Sequence, residues 1–184
     1  MDHSQINQNI ASQLKAQRKD KGWSLDKTAQ ATGVSKAMLG QIERGESSPT
    51  IATLWKIATG LSCSFSAFIT QQGESVRTDG PLEQRDIKRD PNMLVKTLFP
   101  FSQQTRFETF EITLTENHTQ HSEPHQAGVT EHLHVLEGEL QVAQRETWHT
   151  VNAGEQFILS ADQPHAYRDN AGMTRFLDII YYPL

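Results

Sequence analysis

Seven of the eight histidines lie at or after His118. Among them His121 and His125 are interleaved with Glu123 and Glu131, and His165 follows far along the chain. Imidazole together with carboxylate suits a borderline divalent cation such as zinc or another transition metal. Three such protein ligands would leave one coordination position open for a small molecule. A histidine run is also compatible with an ordinary solvated loop, so the cluster needs a fold that brings its members together. A second set of residues sits near the N-terminus: Ser35, Lys36, Ala37, Gln41 and Arg44. Placed on one helix face, they match what base edges require. Glutamine pairs with adenine, a lysine reaches guanine, and an alanine methyl touches thymine.

The elements that would position these residues divide the chain in two. From Ser4 to Ile69 the apolar spacing is helical, with Ile6, Ile10 and Leu14 forming one stripe. Ser24 is placed to cap a second helix from Leu25 to Thr32, ended by Gly33 in a left-handed turn. Ser35 caps a third helix with Leu39 and Ile42 inward and Gly45 beyond its end. Lys36, Ala37, Gln41 and Arg44 therefore point outward. Ser48-Pro49-Thr50 starts a fourth helix carrying Ile51, Leu54, Ile57, Ala58 and Leu61, and a short fifth is expected near Ser64–Ile69. Gly40 costs about 1 kcal/mol relative to Ala inside a helix, which close approach of another backbone would explain. Cys63 is expected to be a small buried residue.

From Thr70 to about Asn92 the pattern is polar and punctuated by Gly and Pro, as in a linker. Beyond it the period becomes two. Phe110, Ile112 and Leu114 alternate with polar residues, with Phe107 out of phase as if at a bulge. His132–Val142, Trp148–Leu159 and Thr174–Tyr182 also read as strands separated by glycine turns, which indicates a β-sandwich or barrel. In the strand phase His132 and His134 oppose Glu131 and face away from it. The expected domains are residues 1–70, a linker 71–92 and a β domain 93–184.

Composition narrows the function classes. The chain has 184 residues, 17 Lys+Arg and 22 Asp+Glu, for a net charge of −5. Up to Ile69 eight basic residues face five acidic ones, so the head carries +3 and the remainder −8. A basic head on an acidic body suggests that only the head meets an anionic polymer. No run of about 18 apolar residues is present for a membrane span. Met1-Asp2-His3-Ser4-Gln5 has no leader character, and the lone Cys63 permits no intramolecular disulfide. A cytoplasmic protein is expected.

Ser24-Leu25-Asp26-Lys27-Thr28-Ala29, Gly33-Val34-Ser35, Leu39-Gly40-Gln41-Ile42-Glu43-Arg44-Gly45 and Ser48-Pro49-Thr50 closely resemble the phage-repressor-like (XRE) helix-turn-helix family. The resemblance covers about 65 residues and implies a five-helix bundle. It implies that Ser35, Lys36, Ala37 and Gln41 face DNA and that Glu43 pairs with a helix-one arginine. Arg18, which continues the stripe of Leu14, is placed for that role. Ser24, Ser35, Ser47, Ser48 and Thr50, with the helix N-termini they precede, would hold phosphates, and Arg44 would join them. Thr28 departs from the usual leucine.

The β half resembles the cupin superfamily, a double-stranded β-helix or jelly-roll barrel, over about 90 residues. Glu131 with Gly138, and Gly154 with Pro164-His165, occupy its two motifs. The family's His-x-His precedes its glutamate, whereas here His132-Leu133-His134 follows Glu131 and Glu123-Pro124-His125 takes the expected place. Ser160 and Asp162 replace the usual Pro and Gly, and the usual Asn falls on Asp169. The resemblance implies a divalent metal on His125, Glu131 and His165, or alternatively a metal-free polar pocket. His121, Glu123 and Arg168 are candidate effector-pocket residues. Trp148, Phe157, Tyr167, Phe176, Tyr181 and Tyr182 are expected in core and interface positions.

The expected protein is a multidomain α plus β transcriptional regulator that binds double-stranded operator DNA. A second head would supply a second half-site, so a homodimer held by the cupin domain is expected. The cupin domain would sense a small-molecule effector. Two other classes fit the same residues: a metal-dependent cupin dioxygenase or isomerase tethered to DNA, and a dimerising DNA-binding scaffold without effector.

Overall fold

The computed structural model describes residues 3–69, 85–145 and 147–183, together with the side chains of 6–69, 90–145 and 147–183. The chain forms two compact units, residues 1–75 and 76–184.

The first unit holds α1 (His3–Asp20), α2 (Leu25–Thr32), α3 (Lys36–Glu43), α4 (Ile51–Gly60) and a short 3-10 helix at Phe65–Phe68. The expected fifth helix is thus a single 3-10 turn. Local chemistry sets the boundaries. Ser24, Ser35 and Thr50 accept hydrogen bonds from the backbone N–H of Lys27, Met38 and Thr53, satisfying donors that a helix start leaves open. Gly33 ends α2 at φ 66°, a left-handed value that glycine adopts without penalty. Ile10, Leu14, Leu39, Ile42, Leu54, Ile57 and Leu61 fill the core, and Trp55 stacks on Phe65 with ring centroids 4.1 Å apart.

Thr28, in the usual leucine position, is fully buried. Its hydroxyl donates to Ser24 O at 2.9 Å, so the substitution leaves no unpaired polar group. Gly40 corrects its expectation. A Cβ there would meet the Arg44 Nη1 and Leu25 Cδ1 side-chain atoms at 3.2 and 3.8 Å, not another backbone. The close backbone approach belongs to Gly60, where a Cβ would lie 2.5 Å from Ala31 O.

The described residues of the second unit form ten strands in two antiparallel sheets. One runs β1 (Arg85–Asp90), β2 (Met93–Phe99), β3 (Phe107–Thr115), β10 (Met173–Tyr181), β5 (Thr130–Glu137), β8 (Gln156–Ser160). The other runs β4 (Thr119–Ser122), β9 (His165–Asp169), β6 (Glu139–Gln144), β7 (Thr147–Asn152). β1 begins inside the segment assigned above to the linker, and residues 71–84 lie outside the described residues. The sheets close face to face, with Tyr167 on β9 against Phe176 on β10 at 5.6 Å between centroids.

Alternation places Phe110, Ile112, Leu114, Leu133, Val135, Leu140, Val142, Phe176 and Ile180 inside. No bulge occurs at Phe107. β3 pairs with β10 in unbroken register from Phe107↔Tyr181 to Thr115↔Met173, and the irregularity lies in β2 between Thr97 and Phe99. Asp169, in the usual Asn position, is fully buried. Its carboxylate accepts from the N–H of Asn117 and Ala171 and from the Thr174 hydroxyl, tying the β3–β4 and β9–β10 turns to the start of β10.

Candidate functional site

On the helical unit, Lys36, Ala37, Gln41 and Arg44 are exposed on α3, with Ser24, Ser35, Ser48 and Thr50 exposed around it and Ser47 half-buried. The inward positions Leu39 and Ile42 are 0% and 1% exposed, so burial fixes which face looks outward. Lys36 Nζ lies 2.8 Å from Asp26 Oδ2, and Arg44 forms a two-point pair with Glu46 at 2.8 and 2.7 Å. Both pairs are exposed, so solvent and salt screen them strongly. Behind α3, Arg18 Nε and Nη2 bind Glu43 Oε1 and Oε2 at 2.6 and 2.8 Å, and Nη1 donates to Trp23 O. Side-chain exposures of 14% and 9% make this a largely buried clamp between α1 and α3.

In the barrel, His125, Glu131 and His165 converge. One ligand atom from each lies within 4.8 Å of the others. Glu131 points inward from β5, His165 inward from the start of β9, and His125 comes from the β4–β5 loop, whose N–H is tied to Ala161 O. His125 Nε2 is 2.9 Å and His165 Nε2 3.4 Å from Glu131 Oε1. The Tyr167 hydroxyl donates to Glu131 Oε2. His165 Nδ1 sits 2.9 Å from Gln163 O, which suits the tautomer that leaves Nε2 as the open lone pair. That Nε2 is buried without a hydrogen-bond partner. The donor set is therefore two imidazoles and a carboxylate aimed at one point, which fits a divalent cation.

Burial alone would raise the Glu131 carboxyl. The neighbouring His165 and His125 outweigh it and hold Glu131 down at about 2. Burial likewise works against charging His165, but Glu131 and the Gln163 carbonyl lift it above the ordinary imidazole range.

The three remaining pocket candidates lie elsewhere. His121 on β4 is exposed and pairs with Ala166, on the face opposite Tyr167. Glu123 is exposed in the following loop. Arg168 lies on the outer face of β9, bonded to Gln141 Oε1 and stacked over Trp148 at 4.3 Å. Strand alternation turns His121 and Arg168 outward, correcting both expectations. His132 and His134 do face away from the buried Glu131, toward Thr130 and Gln156. Cys63 is half-buried, with Sγ near Ala58 O.

Residues that the sequence reading passed over line the same interior. Glu108, fully buried, accepts from the Tyr182 hydroxyl, and Asp178 is 2% exposed. Their signal was present: each acid shares the parity of the apolar residues on its strand, Phe110 with Ile112 and Phe176 with Ile180.

A helical unit that presents one polar helix face, together with a closed antiparallel barrel with an inward His-Glu-His set, defines a two-domain DNA-binding regulator. Residues 14–68 match the helix-turn-helix family and residues 110–180 the cupin domain family. The chain belongs to the HTH-type transcriptional regulators that carry a cupin domain. It is 44% identical over 176 residues to the HTH-type transcriptional regulator SutR of Escherichia coli, covering 95% of each chain. It is 50% identical to an HTH_3 family transcriptional regulator of known structure from Vibrio cholerae, with a TM-score of 0.87 over 98% of this chain and 99% of that one. Over 75 residues, 40% of this chain and 67% of the relative, it is 35% identical to the HTH-type transcriptional regulator SinR of Bacillus licheniformis. Among the described residues no helix is long and apolar enough to cross a membrane.

Proposed function

We propose that this regulator is a cytoplasmic homodimer that reads its operator with Lys36, Ala37 and Gln41, held on the phosphates by Ser24, Ser35, Arg44, Ser47, Ser48 and Thr50. The cupin domain supplies the dimer contact and senses a small molecule beside a divalent metal on His125, Glu131 and His165. Effector binding alters the relation of the two heads, a coupling typically worth about 1–3 kcal/mol. When bound, the metal would supply a Lewis-acidic open position. The chain's own part is to aim His165 through the Gln163 carbonyl, to hold Glu131 ionised, and to exclude water with the surrounding apolar residues. It acts by binding rather than by turnover, a reading supported by the names of its relatives.

The convergence of the three ligand atoms within 4.8 Å carries the metal reading. Metal stoichiometry tests it: wild type should hold about one equivalent of divalent ion per chain, and His165→Ala should lose it while still binding nonspecific DNA. Equal metal in both proteins, or none in either after metal-replete purification, removes the site. Multiple turnover of any substrate by the metal-loaded chain would overturn the binding-only reading.

A further inference from the structure

An antiparallel sheet with one face in water alternates apolar-in and polar-out along each strand. β10, at the centre of the six-stranded sheet, does not. Phe176 and Ile180 are buried on its inner face, and Leu177, Ile179 and Tyr181 have the opposite parity and point outward. The strand registers extend this pattern across the sheet. Ile158, His132, Ile179, Thr109 and Phe99 stand side by side in one outward row over five strands. A row through Tyr181 and Phe107 flanks it on one side and a row through Leu177 on the other.

Among the described residues the barrel exposes five large apolar side chains, and four of them, Phe99, Ile158, Met173 and Tyr181, lie on this face. Ile158 is 64% exposed. The outer face of the four-stranded sheet follows the ordinary rule, with Thr119, Arg168, Gln141 and Thr150 in one row. Contiguous apolar surface confined to one face marks an interaction site.

Charge selects the occupant. Residues 70–184 carry a net −8, so two such bodies repel each other over most of their surface. On the outward positions of this sheet with described side chains, the charges balance. Arg175 lies 3.8 Å from Glu111 and 3.5 Å from Glu137, and Lys96 stands opposite Glu111. All four sit on the Leu177 side of the Ile179 row, as charged residues do at the rim of an interface. On such a face two acidic barrels can meet without bringing like charges together, whereas DNA would find no net positive charge to hold it.

We propose that a second copy of the chain docks on this face, the two apolar stripes packing against each other about a two-fold axis, so that each copy offers the same patch. The inference rests on the reading of the cupin domain as the dimer contact and names the face that makes it.

Sedimentation of the full chain across the micromolar range tests it. Wild type should run as a dimer. Ile158→Glu and Tyr181→Glu each place a charge in the apolar stripe and should raise the dimer dissociation constant by about tenfold or more. Trp148→Glu, at a comparably exposed aromatic on the other sheet, should leave it unchanged. The barrel melt of each variant reports folding, and Ile158→Ser, which removes apolar surface without adding charge, should weaken the dimer in the same direction. A dimer unaltered in both glutamate variants overturns this face and leaves a dimer held elsewhere. A wild-type monomer at every concentration overturns the dimer reading and this inference together. Equal weakening by Trp148→Glu also overturns the assignment, because the effect would not belong to this face.

Discussion

Single side chains in this protein act through what surrounds them. Asp178 has the acidity of any aspartate in the unfolded chain, but burial and two nearby glutamates raise it well above that in the fold. Below about pH 3.9, the reference aspartate value, both states hold the proton and Asp178 costs nothing. As pH rises, the unfolded chain releases the proton first, so the contribution to stability falls until the raised folded value is passed. Metal-free Asp178→Asn is therefore expected to melt above wild type at pH 7, with the difference closing toward pH 4. Thermal melts across that range check it, and a pH-independent difference would contradict it. Gln41 is the other residue to isolate. It is exposed on α3 beside the buried Ile42, so Gln41→Ala should relax discrimination at one base pair by about 1–3 kcal/mol. Site selection from randomised DNA reads this directly, and an unchanged profile removes Gln41 from base reading.

At the scale of elements, α3 is presented to solvent by contacts on its other side. Leu39 and Ile42 bury one face, and the Arg18–Glu43 clamp pins the C-terminal end of α3 to α1. Removing one partner leaves the other charge largely buried and unpaired, so Arg18→Ala should destabilise the head by about 3–5 kcal/mol. A double-mutant cycle with Glu43→Ala, followed in the head's unfolding transition, should show that most of this loss is shared. Additive single effects would mean that the clamp does not couple the helices. In the barrel the equivalent device is register. The β3–β10–β5 pairing puts Glu108, Ile180 and Glu131 in one row, and a one-residue slip of β10 against its neighbours would carry Ile180 to the opposite face.

For the whole molecule, the division into two units has a thermodynamic consequence. The triad ties β5, β9 and the β4–β5 loop, and none of its members belongs to the helical unit. Anything that binds only the folded barrel stabilises it by mass action. Calorimetry of the full chain should therefore show the barrel transition falling on chelation and recovering with added zinc, while the head transition stays in place. Equal movement of both would show that the units unfold as one. Metal binding also needs neutral imidazoles, and Glu131 raises His165. Occupancy should accordingly begin to fall on acidification at a higher pH than for an ordinary histidine ligand.

The sequence alone determined what local rules govern. The caps at Ser24, Ser35 and Thr50, the left-handed Gly33, the outward face of α3 and the alternating strands depend on residues a few positions apart, where helix and strand periods are decisive. His125, Glu131 and His165 were legible through spacing within two recognisable motifs. Other features needed the closed fold. His121 and Arg168 looked like pocket residues because they neighbour the motifs, yet the pairing of β4, β9 and β6 turns them to the outer face. Glu108 and Asp178 share the parity of the apolar residues on their strands, but parity alone does not say that the face is covered. Closure of the second sheet over the first decided that the face carrying them is dry. Burial arises from distant segments meeting, and no window of neighbouring residues encodes which segments those are.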